Sequence, residues 1–366
     1  MEALAAHPHA QAVLGPVVEG SVAPTHAWLF HGPPGCGRAE VAEAIATSLL
    51  SRGSERDDTA ARVVGRTHPD LMWVKPEGAN GEILVDDIRE VVSSVPLTPF
   101  EARCRVFVIE GADRMNESSA NAFLKTLEEP PAHAHLILIA DATTTVLPTI
   151  LSRCQSVRFE PPSPEALAAR LEREGVEATT ARECAQLASG DGAKARMLAG
   201  EHGAAIRSAG EQLARAAVKG GAATAKPWLD LLKTASEEGK SAAAQVEQAA
   251  EERLQFAAKT EKKRVEKDAE ERGKRAGRRA ESAAADLGLF VAEAWLRDLH
   301  RVVVGAGDTL PQGRSDSLSQ EAASVSPAAL RDAIDRIEAT RGALKLNVNR
   351  ELAIESLAHE LDGVLS

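Results

Sequence analysis

Gly32-Pro33-Pro34-Gly35-Cys36-Gly37-Arg38-Ala39 has the spacing of a phosphate-binding loop. In the working pattern G-x-x-x-x-G-K-[ST], backbone N–H groups cradle phosphates, the lysine reaches the terminal phosphates and the hydroxyl ligates Mg²⁺. Here Arg38 stands at the lysine position and Ala39 at the hydroxyl position. In hydrolases of this kind a buried strand ends in Asp-Glu, the first residue holding Mg²⁺ and the second positioning the attacking water. The corresponding strand ends Ile109-Glu110-Gly111, so Glu110 takes the Asp place and Gly111 the place of the base. Asp113 lies beyond both and is expected to cap the next helix. Loss of one preorganised group commonly costs about 3 kcal/mol of barrier. With three positions altered, the chain is expected to keep a nucleotide-hydrolase frame without hydrolysing nucleotide. Binding is a separate question. A helix N-terminus still attracts anions, and Arg38 is still a cation, although its rigid fork copies a lysine poorly.

Ser152-Arg153-Cys154 is the other chemically loaded triplet. An arginine supplied in trans can stabilise the charge developing on a neighbour's γ-phosphate, and an ion-paired surface arginine has the same local sequence. Lys125 and Glu128 sit three apart on one predicted helix, on neighbouring faces, as an ordinary helical pair would; Leu124 and Leu127 are expected in the core. His68 reads as a turn or strand-end residue. Cys36, Cys104, Cys154 and Cys184 are widely spaced, with no C-x-x-C pair. That pattern argues against a zinc site and a disulfide framework, and leaves them as packing residues.

The elements that must position these residues alternate. Strands are predicted at 28–31, 71–74, 105–109, 136–140 and 157–159. Helices are predicted at 40–50, 82–94 and 118–129, the last stopping before Pro130-Pro131, with a short helix at 147–154 and a polar stretch at 51–66. Such alternation is that of a parallel sheet with crossover helices. Pro161-Pro162-Ser163-Pro164 marks a boundary, so 1–160 is expected to form one domain and 161–200 a small helical one. Residues 201–366 read as all-helical, with 305–326 as a loop before two closing helices, 327–343 and 349–365. Within this part, 237–281 is rich in Ala, Glu, Lys and Arg. A single helix from about 236 to 286 would be roughly 75 Å long. It reads as one or two solvated helices with i,i+4 ion pairs. Its basic cluster (Lys259, Lys262, Lys263, Arg264, Lys267, Arg272, Lys274, Arg275, Arg278, Arg279) is interleaved with acids, which weakens a DNA-binding reading.

Composition narrows the classes. The chain has 366 residues, of which 44% are hydrophobic, and no apolar run of transmembrane length. Its first residues lack the basic start and apolar stretch of a secretory signal, and a cytoplasmic location is expected. Net charge is −11, aromatics are 3% and tyrosine is absent. A stand-alone nucleic-acid binder is more often basic and needs exposed rings for stacking.

Gly32 to Arg38, the block Asn121-Ala122-Phe123-Leu124-Lys125-Thr126-Leu127-Glu128-Glu129-Pro130-Pro131, and Leu151-Ser152-Arg153-Cys154 together resemble the clamp-loader branch of the AAA+ ATPases. The degenerate loop, with His26 and Trp28 ahead of it, is most similar to that of the delta-prime subunits of bacterial DNA polymerase III. The resemblance is strong over about residues 20–200. It is weaker in the closing helices, where Trp295-Leu296-Arg297-Asp298-Leu299 and Leu346-Asn347-Val348-Asn349 fit the family's collar; 237–281 matches nothing in it.

The resemblance implies an α/β P-loop NTPase (AAA+) domain, a small helical lid domain and a C-terminal all-helical collar that oligomerises. It implies a rigid, non-catalytic stator in a pentamer with tau/gamma and delta subunits. That assembly opens the sliding clamp and closes it on primed DNA. Arg153 would then be an arginine finger, flanked by Ser152 and Cys154, reaching the ATP-Mg of an adjacent subunit, and the helix of Lys125 and Glu128 would lie at the intersubunit site. The resemblance implies membership of the DNA-directed DNA polymerase III holoenzyme without intrinsic ATPase. Many relatives carry a four-cysteine zinc module after the loop helix. Residues 51–71 contain no cysteine, so no zinc or other metal, and no tightly bound cofactor, is expected. The place of the second sensing arginine is Ala193, with Lys194 and Arg196 offset; the first sensor falls somewhere in 141–145. A catalytically active ATPase using Arg38, and a DNA-binding scaffold acting through the charged segment, are the alternatives.

Overall fold

Short, largely apolar runs set the frame. Five strands, β1 (Ala27–His31), β2 (Leu71–Val74), β3 (Arg105–Glu110), β4 (Ala134–Ala140) and β5 (Gln155–Arg158), form one sheet in the order β2-β3-β4-β1-β5. Every pairing is parallel, with Trp28 opposite Ile137 and Phe107 opposite Leu136. The computed structural model describes residue 4 and residues 7–51, 56–76, 83–254, 259–310, 314–323, 325–344 and 348–365, and the side chains of these except at 56, 249, 251–254, 259–268 and 314.

All seven residues of β4 are buried, as expected of a parallel strand covered on both faces. Successive side chains point to opposite faces, and the core divides accordingly. Trp28, Phe30, Val106, Val108, Ile137 and Ile139 pack on one side with Val41 and Ile45. Leu29, Phe107, Ile109, Leu136 and Leu138 pack on the other with Ile88, Val91, Phe123 and Ile150. Full burial of each such side chain is worth about 1.5–3 kcal/mol.

The first face is covered by α1 (Pro8–Val18), α2 (Arg38–Leu50) and α3 (Arg56–Val64), and the second by α4 (Val85–Ser94), α5 (Glu117–Glu128) and the short α6 (Pro148–Leu151). Because β1 lies between β4 and β5, the loop leaving β1 opens where the crossovers diverge, the usual place for a ligand in a parallel sheet. This is a P-loop α/β domain. Helices α7 (Pro164–Arg173) and α8 (Ala178–Ala188) follow, then α9 (Gly192–Ala199). The chain divides into two compact units, Met1–Ala193 and Lys194–Ser366.

The second unit is all-helical among its described residues. It comprises α10 (Gly203–Val218), α11 (Ala222–Ala225), α12 (Trp228–Leu254), α13 (Lys259–Val303), α14 (Arg314–Ala322), α15 (Pro327–Leu344) and α16 (Arg350–Leu365). Glu293 is buried in it between Arg341, at 2.6 Å, and Arg297, at 2.5 Å.

Of the one or two helices expected in the Ala/Glu/Lys/Arg segment, two form: α12 and α13, which run antiparallel, so that a Cβ on Gly239 would lie 2.9 Å from Gly277 O and one on Gly273 3.4 Å from Ala243 O. One expectation changes: the loop expected at 305–326 contains α14, anchored by buried Leu318. The polar stretch 51–66, to which the sequence assigned no element, contains α3. The side chains of Lys259, Lys262, Lys263, Arg264 and Lys267, and Leu346 and Asn347 of the collar-like motif, lie outside the described residues.

Candidate functional site

Two arginines define the chemistry of the first unit. The loop from Gly32 to Gly37 joins β1 to α2, and two of its glycines are required by geometry. Gly37 has φ +95° and is the N-cap of α2. Gly35 has φ +74°, and a Cβ there would stand 2.3 Å from Asp191 Oδ1 and 2.6 Å from Gly192 N. The crest of the loop is therefore in contact with the turn that starts α9. Gly192 N donates to Gly35 O at 3.2 Å, and Asp191 Oδ1 accepts from Ala193 N at 3.0 Å. A carboxylate thus lies over the glycine whose N–H a phosphate would approach. Cys36 N donates inside the loop to Pro33 O, while Pro33 and Pro34 are exposed and Gly32 is pressed against Phe159.

Arg38 is 7% exposed. Its Nη1 donates to Ala140 O, and its Nη2 donates to Asp141 Oδ1 at 2.7 Å. A guanidinium fork matches a carboxylate plus a carbonyl well, and Asp141 immediately follows β4, the strand beside β1. The cation at the lysine position therefore joins α2 to β4. Ala39 has no hydroxyl. His7 is buried edge-on against Phe159, with ring centroids 5.0 Å apart, and its Nε2 would lie 3.4 Å from a Cβ on Gly37. Burial lowers its pKa, which disfavours a charged ring beside the loop.

Glu110, at the end of β3, turns to the sheet edge. Its Oε1 accepts from Trp73 Nε1 at 2.7 Å and lies 3.2 Å from Lys75 Nζ. Arg66 lies over the Trp73 ring at 3.3 Å and pairs with Glu43 at 2.6 Å. Gly111, at φ +75°, starts a short 3₁₀ turn, Ala112–Arg114. Asp113 sits in that turn and is not the cap of α5. Asn116 is, its Oδ1 accepting from Ser119 N at 2.9 Å.

Arg153 follows α6, with its side chain one-third exposed. Its Nη1 donates to Thr149 O at 2.9 Å and to Ser152 Oγ at 3.2 Å, and its Nη2 to Glu128 Oε1 at 2.5 Å. Glu128 therefore pairs across to Arg153 rather than along its helix with Lys125. Ser152 Oγ donates to Thr149 O at 3.2 Å. The thiol of Cys154 is pushed up to about 12 by burial, and that of Cys104 to about 11, so neither is a thiolate at neutral pH. His68 occupies the turn before β2, its Nδ1 accepting from Asp70 N at 3.2 Å.

The structure thus gathers Gly32 to Ala39 with His7, Asp141 and Asp191. It places Glu110 and Gly111 at the C-terminal end of β3, and Ser152, Arg153 and Cys154 with Glu128. Arg153 makes no hydrogen bond or ion pair with the loop among the described residues. The residues of the loop do not fit Mg-ATP: Arg38 is engaged by Asp141, the metal-binding hydroxyl is missing, Glu110 is hydrogen-bonded to Trp73, and a second carboxylate, that of Asp191, lies against Gly35. No three His, Cys, Asp or Glu side chains converge as a metal-ligand set among the described residues.

Asp141 was foreshadowed by one signal, an acid directly after a buried strand. Asp191 had a similar one, an acid between two glycines ahead of a helix. His7 lies too far from the loop in sequence to have had any.

Residues 20–163 match the model of the sequence family described as "DNA polymerase III, delta subunit". The DNA polymerase III subunit delta' of Bacillus subtilis is 34% identical over 163 residues, 43% of this chain and 49% of that protein. The subunit delta' of Pseudomonas aeruginosa is 38% identical over 135 residues, 35% of this chain and 41% of that protein. The subunit gamma/tau of Mycobacterium bovis is 34% identical over 160 residues, 41% of this chain and 28% of that protein. The matches span less than half the length of these relatives.

Proposed function

From the match of residues 20–163 to the DNA polymerase III delta-subunit family model, with delta-prime subunits among the similar proteins, we propose that this chain is a non-catalytic, delta-prime-like subunit of a DNA polymerase III clamp loader. In this reading it holds no nucleotide of its own. It stands beside tau/gamma and delta subunits in an ATP-driven complex that places the sliding clamp on primed DNA. Arg153 reaches the Mg-ATP of the adjacent subunit.

The observation that carries the proposal is the contrast between the two arginines. Arg38 is buried and ion-paired with Asp141 at the end of β4, whereas Arg153 is partly exposed on a short turn. A guanidinium directed at a γ-phosphate in trans is worth about 10³–10⁵ in turnover where it has been measured in GTPases. A cation bound to its own aspartate adds nothing to a phosphate in cis.

The test is a rebuilt complex assayed with clamp and primed DNA. Arg153→Ala should lower the stimulated ATPase at least tenfold while the complex still assembles on a sizing column. Arg38→Ala should leave that rate within about twofold. The isolated chain with excess Mg-ATP should show no rise in melting temperature, whereas a ligand at a hundred times its Kd would add about 2.7 kcal/mol. ATP turnover by the isolated chain, abolished by Arg38→Ala, would overturn the proposal.

A further inference from the structure

Glu128 closes α5, where the helix carbonyls already make the surroundings negative and a carboxylate is misplaced. Glu129 follows it as the C-cap residue. Sequences break a local rule of this kind chiefly at functional positions. The compensation here is Arg153, whose Nη2 meets Glu128 Oε1 at 2.5 Å while its Nη1 is held by Thr149 O and Ser152 Oγ. The pair is open to solvent, with Arg153 33% and Glu128 48% exposed. Among the described residues three acceptors surround this guanidinium, and of these only Glu128 is charged.

We propose that Glu128 is a parking counter-ion for Arg153: it holds the guanidinium in the undocked chain and is exchanged for a phosphate when a nucleotide-loaded neighbour arrives. The inference rests on the trans role given to Arg153 above. Its physical basis is competition. Charge-assisted bonds from one fork are available to one strong anion at a time on that edge, and a carboxylate left beside a γ-phosphate would repel it. The bond that stabilises the free chain therefore opposes docking, and Glu128 is a positioning residue acting through Arg153.

Kinetics of the rebuilt complex test this directly. Glu128→Gln keeps the shape and removes the charge. It should lower the ATP concentration giving half-maximal turnover by about two- to fivefold, the equilibrium factor of an exposed ion pair. The plateau rate with clamp and primed DNA should change little. Glu128→Asp should restore the higher half-maximal concentration. The double variant Glu128→Gln with Arg153→Ala should match Arg153→Ala alone, because the parking partner has nothing left to hold. A plateau rate that falls with Glu128→Gln as it does with Arg153→Ala would overturn the inference by making Glu128 a support of the docked arginine. An unchanged half-maximal concentration would also overturn it. If Arg153→Ala itself has no effect, the trans reading fails instead, and the two failures are distinguishable. Glu128→Gln should leave the melting temperature of the isolated chain within about 2 °C, as loss of an exposed pair does.

Discussion

Arg38 shows how a single substitution can turn a ligand-binding cation into a structural one. A lysine at this point ends in a compact ammonium, whereas an arginine presents a fork that suits a planar acceptor. Asp141 and the Ala140 carbonyl supply it. The pair is asymmetric, because Asp141 is 40% exposed and Arg38 only 8% by side chain. Removal of the aspartate strands a buried charge, while removal of the arginine leaves a carboxylate that water can reach. Asp141→Ala should therefore lower unfolding stability by about 2–4 kcal/mol, and Arg38→Ala by about half as much, read as a shift in the urea midpoint at constant slope. Equal losses would mean that the aspartate contributes packing rather than charge. The altered loop residues were plain from their spacing alone. What the altered residue now does was not, because its partner lies more than a hundred positions away on a strand whose neighbour in the sheet only the fold reveals.

At the scale of elements, the helical hairpin of α12 and α13 was the least legible part. Residues 255–258, Gln-Phe-Ala-Ala, carry no glycine or proline, so nothing in the composition interrupts the Ala/Glu/Lys/Arg pattern between the two helices. The glycines that do occur serve another purpose. Gly239 and Gly277 face each other across the pair, where a Cβ would come within 2.8–2.9 Å of the opposite carbonyl, so their lack of a side chain allows backbone contact. Gly277→Leu should push the helices apart and cost about 1–3 kcal/mol as an overpacked contact, seen as a lower urea midpoint. Gly273→Ala, whose Cβ would meet Ala243 O at an ordinary contact distance of 3.4 Å, should not destabilise and should gain up to about 1 kcal/mol from helix propensity. Helix α14 was missed for a related reason: with Leu318 its one fully buried apolar anchor, it gives no periodicity to detect. The strands were the reverse case. Runs such as Leu136-Ile137-Leu138-Ile139-Ala140 are buried on both faces, and their continuous apolarity can be read directly.

For the molecule as a whole, charge sets what the chain can do alone. At −11 it repels a phosphate backbone, and the described basic residues of the hairpin are partly paired within their own helix, Lys274 with Glu270 and Arg275 with Glu271. Because Gly239 meets Gly277, residues 236 and 282 lie nearly opposite one another on the two helices, so 237–281 can be excised and bridged by a short linker. That variant should bind duplex DNA as weakly as the full chain, with the same dependence of log K on log salt between roughly 50 and 200 mM, followed by fluorescence anisotropy of labelled DNA. A slope that flattens on excision would place phosphate contacts on the hairpin.

The uneven placement of the four tryptophans has a use of its own. Trp28, Trp228 and Trp295 are sealed in the two cores, whereas Trp73 is only partly covered, under Arg66 and hydrogen-bonded to Glu110. With no tyrosine in the chain, ultraviolet emission of the folded protein has a single indole able to sense its surroundings. The rim of β2 is in effect fitted with its own optical gauge, and a change in colour or brightness when a companion subunit is added, without unfolding, reports events at that rim.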